Sequence, residues 1–239
     1  RPVCEAIKKE SGNANITLMQ IDLSSQASIR EFAQQFSLKH QSLDVLIDNA
    51  GVYCHTRQET RDGFEKTIGI NLLGPFLLIN LLLPVIKQTA GARIINLSSN
   101  AHYQSKFDVS DINWQKRKYS GFRAYADSKL AIVLITQELA KRLMKTGTTV
   151  NAVHPGHTAT QIWNIWPGKW YQALLDKIIN RFMITAGEGA QASIFLASSE
   201  EVKAVTGKYF SQKQLKDPAS KCKDVQLQTN LWQLCENLT

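Results

Sequence analysis

The sequence has few cysteines, and they lie far apart. Four are present among 239 residues, and no two have the close spacing of zinc-binding or redox motifs. The same spacing excludes a dense disulfide framework. We therefore expect a chain that works in a reducing compartment and has no metal site.

Long blocks of charge of one sign are also absent. Lys and Arg (28) outnumber Asp and Glu (20), for a net charge of +8, but the basic residues are spread along the chain. No nucleic-acid-binding motif accompanies them, so we expect no nucleic-acid partner. The positive charge suits a phosphate-bearing cofactor or an anionic lipid, or it is a solvated basic surface.

No internal repeat and no linker interrupt the chain, whose length and 44% hydrophobic content fit one globular domain. Strand-like segments alternate with helix-like ones, which predicts an α/β fold with a parallel sheet and helices on both faces. The predicted strands cover 16–21, 43–47, 92–98, 148–153 and 207–210. Predicted helices cover 3–10, a segment capped by Ser25 or Ser28, a long helix to about Lys87, the segment around Tyr125, 189–198 and 225–238.

The long predicted helix is unusually apolar. Residues 67–86 hold no charge over twenty positions, which is the length of a membrane span. Asn71, Asn80, Pro75 and Pro84 argue against contact with lipid. A helix buried in the layer that covers a sheet is also apolar nearly all round, and we favour this interpretation.

Tyr125 and Lys129 form the first candidate pair for chemistry. The apolar spacing around them predicts a helix, in which residues four apart lie on one face. A cation held beside a phenol stabilises the phenolate and lowers its pKa from about 10 toward neutral pH. The pair is therefore a candidate general acid or base.

Small and polar residues follow three of the predicted strands. They occur in DNAG (48–51), in RIINLSS (93–99) and in NAVHPGHTAT (151–160). The ends of parallel strands are where α/β proteins build their sites, and small residues allow a ligand to approach the backbone. A plain turn after a strand is the alternative for DNAG. The loop 100–123 exceeds the usual connection length, which favours a functional insertion.

Residues 161–182 are rich in tryptophan and aliphatic side chains. Such a segment covers an apolar substrate or lies on a membrane surface. A pair of helices packed in the core fits the same pattern equally well.

Taken together, the motifs resemble the short-chain dehydrogenase/reductase family, and more narrowly its retinol dehydrogenase-like branch. The resemblance extends from about residue 3 to the C-terminus and implies a Rossmann-like, doubly wound parallel sheet. The motifs that carry it, in the family's order, are DNAG at 48–51, the helix of Asn71, NLSS at 96–99, YADSK at 125–129, HPG at 154–156 and GKYF at 207–210.

This resemblance implies four catalytic residues. Tyr125 exchanges a proton with the substrate oxygen, and Lys129 lowers the pKa of Tyr125 and holds the nicotinamide ribose. Ser99 hydrogen-bonds the carbonyl or alcohol. Asn71 anchors a water that relays protons. The hydride comes from, or goes to, the nicotinamide.

The resemblance also implies a nicotinamide cofactor, with NADP(H) preferred and NAD(H) as the alternative. Asp22 and Leu23 match the family's adenine contacts, and the residues after the strands match its cofactor edge. The implied cofactor-binding residues are Asp22, Leu23, Asn49, Ala50, Gly51, Tyr125, Lys129, Pro155, Gly156 and Thr160.

Two departures from the family's pattern stand out. Asp48 occupies a position where the family usually has Asn. The glycines of the chain form no G-x-x-x-G-x-G turn, which in the family binds the pyrophosphate. We therefore expect residues 1–239 to be a single but incomplete domain, N-terminally truncated, that binds dinucleotide poorly and is unstable on its own.

The leading functional hypothesis is an NAD(P)-dependent oxidoreductase that interconverts an alcohol and a carbonyl on an apolar substrate of the retinoid, steroid or lipid aldehyde class. The alternative is a truncated, catalytically inactive product that acts as a binding or regulatory partner. A homodimer through the helices of Asn71 and Tyr125 and a peripheral membrane contact through 161–182 are further expectations. The localisation stays open between the cytoplasm and the cytosolic face of a membrane.

Overall fold

A computed structural model of the chain describes residues 2–156 and 185–239. At its centre is a five-stranded sheet with the strands in chain order. The first four strands run parallel, and the fifth pairs antiparallel with the fourth. The predicted α/β fold with a mainly parallel sheet is thereby confirmed. The strands are β1 (Val45–Asp48), β2 (Arg93–Leu97), β3 (Thr149–His154), β4 (Tyr209–Ser211) and β5 (Gln214–Lys216).

Helices cover both faces of the sheet. Ile94 and Val150 pack into the main core on one face, while Ile95 and Val153 pack with Leu196 on the other. Alternate residues of β2 and β3 therefore point to opposite faces, as pleated strands require. The helices are α1 (Pro2–Ser11), α2 (Gln26–Lys39), α3 (Lys66–Ile68), α4 (Gly74–Ile86), α5 (Gly121–Arg142), α6 (Ala186–Ser198) and α7 (Val225–Leu238).

The apolar segment of the sequence forms a core helix. A π-helical turn, Gly69–Leu73, joins α3 to α4, so that the helical stretch is almost continuous from residue 66 to residue 86. Among the described residues, this stretch alone has the length and mean hydropathy, 2.0, of a membrane span, and 72% of its most apolar part is buried inside the protein. Phe76 and Ile79 belong to the main core. The buried-helix interpretation is confirmed.

The predicted strand at 16–21 is wrong. Residues 12–22 have no regular secondary structure, and Leu18 is 62% exposed. A strand needs a neighbour that satisfies its backbone N–H and C=O groups. Within the described ranges β1 pairs with β2 and with no other strand. Among the described residues, the apolar segment 16–21 therefore has no strand to pair with.

The C-terminal helix α7 packs against α4 and α5. The Trp232 ring meets the Phe76 ring edge to face, with 4.8 Å between their centroids. The guanidinium of Arg142 lies 4.3 Å from the centroid of a Trp232 ring. Leu231 and Cys235 are fully buried. Helix α7 thus covers part of both core helices. The tryptophan-rich segment 161–182 lies outside the described residues.

Candidate active site

Three parallel strands end at one edge of the sheet. β1 ends at Asp48, β2 at Leu97 and β3 at His154. The register pairs Asp48 with Asn96 and Leu97 with Val153, so the three ends are level. The DNAG, NLSS and HPG segments therefore enter their loops at the same edge, which is where parallel sheets build ligand sites.

Helix α5 brings Tyr125 and Lys129 to this edge. Their residues are 5% and 4% exposed. The Lys129 Nζ lies 5.6 Å from the centroid of the Tyr125 ring. The prediction that one helix face carries both residues is confirmed. The hydroxyl of Ser98 donates to the Lys129 carbonyl at 2.8 Å, which ties the end of β2 to α5.

Lys129 is a buried ammonium beside two other site residues. Its Nζ donates to the Leu97 carbonyl at 2.9 Å. A Cβ at Gly51 would lie 3.4 Å from this Nζ and 3.4 Å from Asn71 Oδ1, so Gly51 borders both groups closely. Burial lowers the pKa of Lys129 to about 8. An anionic group placed beside Nζ would favour the charged form again.

Asn71 lies in the π-helical turn between α3 and α4. Such turns are frequent at functional sites. The side chain binds the loop after β1 twice: Oδ1 accepts from the Val52 N–H at 2.8 Å, and Nδ2 donates to the Val52 carbonyl at 3.0 Å. Nδ2 also donates to Ser128 Oγ at 3.1 Å. Asn71 therefore fixes the DNAG loop against α5.

Ser99 lies close enough to Tyr125 for its side chain to lower the pKa of the phenol. Ser99 has extended backbone at the start of the 3₁₀ helix Asn100–Gln104, and its Oγ accepts from the Ala101 N–H at 3.2 Å. Burial raises the pKa of Tyr125, and the Ser99 side chain acts in the opposite direction. The net direction is upward. This direction is opposite to the lowering that the sequence predicted, because the effect of burial outweighs that of Ser99.

The candidate cofactor residues form two groups. Asn49, Ala50 and Gly51 follow β1, and Pro155 and Gly156 follow β3, so these five lie at the edge where the strands end. Gly156 has a φ of 105°, in the left-handed region that glycine adopts readily.

Asp22 and Leu23 form the second group, beside α2 and α4. The Asp22 carboxylate accepts from the Ser24 hydroxyl at 2.6 Å and from the Ser24 N–H at 2.9 Å, which lowers its pKa. A Cβ at Gly74 would come 2.8 Å from the Leu23 carbonyl, so this loop packs tightly on the start of α4. Thr160 lies outside the described residues.

Asp48 is a polar group in an apolar setting. Its Oδ2 is buried and has no hydrogen-bond partner among the described residues, and the same is true of Oδ1 of Asn96, its neighbour across the strand pair. Both residues line a cavity with room for about one water molecule. Burial raises the pKa of Asp48 to about 7. Burial thus favours the protonated Asp48 carboxyl, which can donate a hydrogen bond, and the Asn96 Oδ1 acceptor belongs to a residue that lines the same cavity.

Arg117 ties the long loop before α5 to that helix. Its guanidinium lies 3.3 Å from the Asp111 carboxylate and 3.0 Å from the Asp127 carboxylate of α5. It also lies 3.7 Å from the centroid of the Trp114 ring. We call Asp111, Arg117 and Asp127 the Arg117 clamp. Sequence reasoning missed it, and the only signal was the unusual length of the loop.

Comparison with known proteins agrees with this geometry. The family described as enoyl-(acyl carrier protein) reductase matches residues 1–211. Human retinol dehydrogenase 13 is 43% identical over 236 residues, which cover 96% of this chain and 71% of that protein. The crystal structure of an uncharacterised protein from Mycobacterium paratuberculosis has 30% identity and a TM-score of 0.73, over 97% of this chain and 80% of its own.

A short-chain dehydrogenase from Burkholderia cenocepacia, solved in complex with NADP, has the same fold. It is 23% identical, with a TM-score of 0.65 over 88% of this chain and 79% of its own. A mainly parallel sheet covered by helices on both faces, with Tyr125 and Lys129 at its strand ends, is the Rossmann-like fold of these dehydrogenases. The chain belongs to the short-chain dehydrogenase/reductase family, in its retinol dehydrogenase-like branch, whose members act on CH–OH groups.

Proposed function

We propose that this protein interconverts an alcohol and a carbonyl on an apolar substrate, with Tyr125 as the acid and base and NAD(P) as cosubstrate. The observation that carries the proposal is the buried pair of Tyr125 and Lys129, one helical turn apart on α5, beside Ser99 just after β2. These groups lie where three parallel strands end, which is the usual place for a ligand.

In the direction of carbonyl reduction, Tyr125 donates its phenolic proton to the substrate oxygen. The Ser99 hydroxyl donates a hydrogen bond to the same oxygen and stabilises the negative charge that develops there. Alcohol oxidation reverses these steps, with Tyr125 as the base. When bound, the nicotinamide supplies or accepts the hydride.

Lys129 and Asn71 support this proton transfer. The ammonium of Lys129 stabilises the phenolate that remains when Tyr125 has given up its proton. Asn71 holds the DNAG loop beside Lys129 through its two bonds to Val52. Its further role, to anchor a water that relays protons, is part of the proposal.

The strand edge fits the nicotinamide end of the cofactor. Gly51 carries no side chain, and its Cβ position lies 3.4 Å from Lys129 Nζ, so a ribose that binds against the Gly51 backbone would lie beside the ammonium. NADP(H) is our preferred cofactor and NAD(H) the alternative, on the family resemblance alone. The residues that would hold it are Tyr125, Lys129, Asn49, Ala50, Gly51, Pro155, Gly156 and Thr160, with Asp22 and Leu23 at the adenine.

The substrate class is proposed from the relatives and from the tryptophan-rich segment. The relative with 43% identity is a retinol dehydrogenase by name. The test is turnover of the purified full-length protein with NADPH, comparing retinal and a long-chain aldehyde with a small sugar aldehyde. We expect the apolar aldehydes to react faster. Faster reduction of the sugar would contradict the substrate class.

A second candidate function is supported by the open edge of the sheet. β1 has one strand neighbour in the part of the chain that the structure describes, and its Ile47 is 40% exposed. No glycine-rich turn for the pyrophosphate occurs in residues 2–156 or 185–239. We therefore keep the alternative proposal of a catalytically inactive chain that binds an active subunit. Turnover by this protein without an added active subunit would exclude it.

Two contacts with partners remain proposals. A homodimer through α4 and α5 would include α7 in its interface, because α7 covers part of both helices. Sedimentation equilibrium measures this assembly directly. Peripheral membrane contact through 161–182 is tested by flotation with lipid vesicles, comparing the protein with a variant that lacks those residues.

A further inference from the structure

His102 is a fully buried histidine close to the catalytic serine. It lies in the 3₁₀ helix Asn100–Gln104, directly after Ser99, and is 0% exposed. Its Nδ1 lies 2.7 Å from the Ser99 carbonyl oxygen. Its Nε2 accepts a hydrogen bond from the backbone N–H of Ala219 at 3.1 Å. One imidazole thus joins the end of β2 to the segment that precedes α7.

These two partners fit one protonation state of the ring. A carbonyl oxygen can only accept and a backbone N–H can only donate, so His102 carries its proton on Nδ1 and none on Nε2. Burial lowers the pKa of His102 and keeps the ring neutral, although the bond to Ser99 acts in the opposite direction. A second proton on Nε2 would make this nitrogen a donor that faces the Ala219 N–H donor, and the hydrogen bond between them would be lost.

Other bonds join the same two parts of the chain. The Tyr103 hydroxyl donates to the Asp217 carbonyl at 2.6 Å. The Lys221 ammonium donates to the Phe107 carbonyl at 2.6 Å. We call residues 217–221 the docked segment. Together with His102, these bonds hold the docked segment against the loop that follows Ser99.

The surroundings of the ring are aromatic and uncharged. The His102 ring centroid lies 4.0 Å from that of Tyr103 and 4.6 Å from that of Tyr209. Burial raises the pKa of both phenols and of the Cys222 thiol, so that all three are neutral near pH 7. The charged groups nearby are the Asp217 carboxylate, which pairs with the Lys223 ammonium at 3.3 Å, and the Lys221 ammonium, which donates to the Phe107 carbonyl.

We infer that His102 is a positioning residue: it fixes the Ser99 backbone, and with it the Ser99 hydroxyl against Tyr125, and it couples that geometry to the docked segment. The reason is that Ser99 Oγ and the carbonyl bound by His102 belong to one residue. Rotation of the Ser99 backbone would move the hydroxyl away from Tyr125. The inference rests on the function proposed for Ser99 and Tyr125.

Two substitutions separate the two bonds of the ring. In His102→Asn, the amide nitrogen takes the place of Nδ1 and still donates to Ser99, but nothing accepts from Ala219. In His102→Gln, the amide oxygen reaches the place of Nε2 and accepts from Ala219, but the donor to Ser99 is lost. His40, which is exposed at the end of α2, serves as the control position for both changes.

The first readout needs no turnover. Titration of Tyr125 by NMR, with labelled tyrosine in the full-length protein, reports the effect of the Ser99 side chain, which lowers the pKa. His102→Gln should raise the pKa of Tyr125 further, whereas His102→Asn should leave it near that of the unmodified protein. Amide exchange of residues 217–221 should increase about tenfold in His102→Asn and little in His102→Gln. Nitrogen NMR should find the proton of His102 on Nδ1.

The second readout is turnover. We expect His102→Gln to lower kcat about tenfold and His102→Asn to change it little, since one net hydrogen bond is worth about that factor. A proton on Nε2, or a Tyr125 pKa that responds to neither variant, would overturn the role of His102. If the Tyr125 pKa responds as expected but the protein has no oxidoreductase activity, the proposed function fails and the positioning of Ser99 stands.

Discussion

At the scale of single residues, burial shifts the pKa values of three groups in the site. Each shift favours the neutral form of the group. Burial lowers the pKa of Lys129 to about 8 and raises that of Asp48 to about 7. It also raises the pKa of Tyr125. In each case the charged form loses its hydration and gains too few partners in return. An anionic ligand beside Lys129 would raise the pKa of this residue again.

Asp48→Asn should stabilise the protein, and more so at high pH. The folded pKa of Asp48 is about 7 and thus lies above its unfolded value, so the folded state binds more protons between the two pKa values. The stability contributed by Asp48 is therefore present at low pH and is lost as the pH rises toward 7. We expect Asn to gain up to about 4 kcal/mol at pH 8 and little at pH 4, since a shift of about three pKa units is worth about 1.4 kcal/mol per unit.

Urea unfolding at pH 4, 6 and 8 measures the effect of Asp48→Asn. Asp44→Asn, at an exposed position directly before the same strand, is the matched control. A gain that is the same at all three pH values would show that the folded pKa of Asp48 is not raised.

At the scale of elements, local patterns predicted helices better than sheet edges or loops. The periodicity around Tyr125 and Lys129 is a property of neighbouring residues, and α5 forms where it predicted a helix. The pattern at 16–21 needed a partner strand, which the described chain does not supply. A strand therefore could not be assigned correctly from that segment alone.

The parts of the site that sequence reasoning missed depend on contacts between distant residues. The π-helical turn that contains Asn71 has no recognisable pattern within the apolar segment. The Asn71 side chain binds the backbone of Val52, which is nineteen residues away in the sequence. His102 looked like one polar residue in a loop, because Ala219 lies 117 positions further along the chain. The family resemblance supplied Ser99 and Asn71, but not the bonds that place them.

Arg117→Met should destabilise the fold through the clamp. Asp111 and Asp127 have side chains only 4% and 1% exposed, so the change leaves two buried carboxylates without their cation. We expect a loss of about 3 kcal/mol in the free energy of unfolding and faster amide exchange in residues 105–117. Chemical denaturation followed by exchange measurements tests both.

The exposed Lys118→Met is the control for the Arg117 clamp. The double variant Arg117→Met with Asp127→Asn removes one of the stranded charges and should recover part of the loss. If Arg117→Met unfolds at the same denaturant concentration as the control, the clamp contributes nothing to stability.

At the scale of the whole molecule, the sequence predicted the fold class, the order of most elements and the family. The fold class could be predicted because strand-like and helix-like segments alternate along most of the chain. The family could be predicted because its motifs occur in the same order. The comparisons confirm the family over most of the chain's length. The catalytic roles of Asn71, Ser99, Tyr125 and Lys129 remain proposals. The structure supports them by bringing all four to one edge of the sheet.

The most direct test of these roles is the turnover of Tyr125→Phe in the full-length protein, with NADPH and an apolar aldehyde. Phenylalanine keeps the ring and removes the proton that Tyr125 is proposed to transfer. We expect kcat to fall by about 10²–10⁴-fold with little change in thermal stability. Tyr119→Phe is the control, because its hydroxyl bonds to Glu65 and the Cys54 carbonyl, and it should keep kcat within about threefold. If Tyr125→Phe turns over like that control, Tyr125 is not the acid and base of this protein.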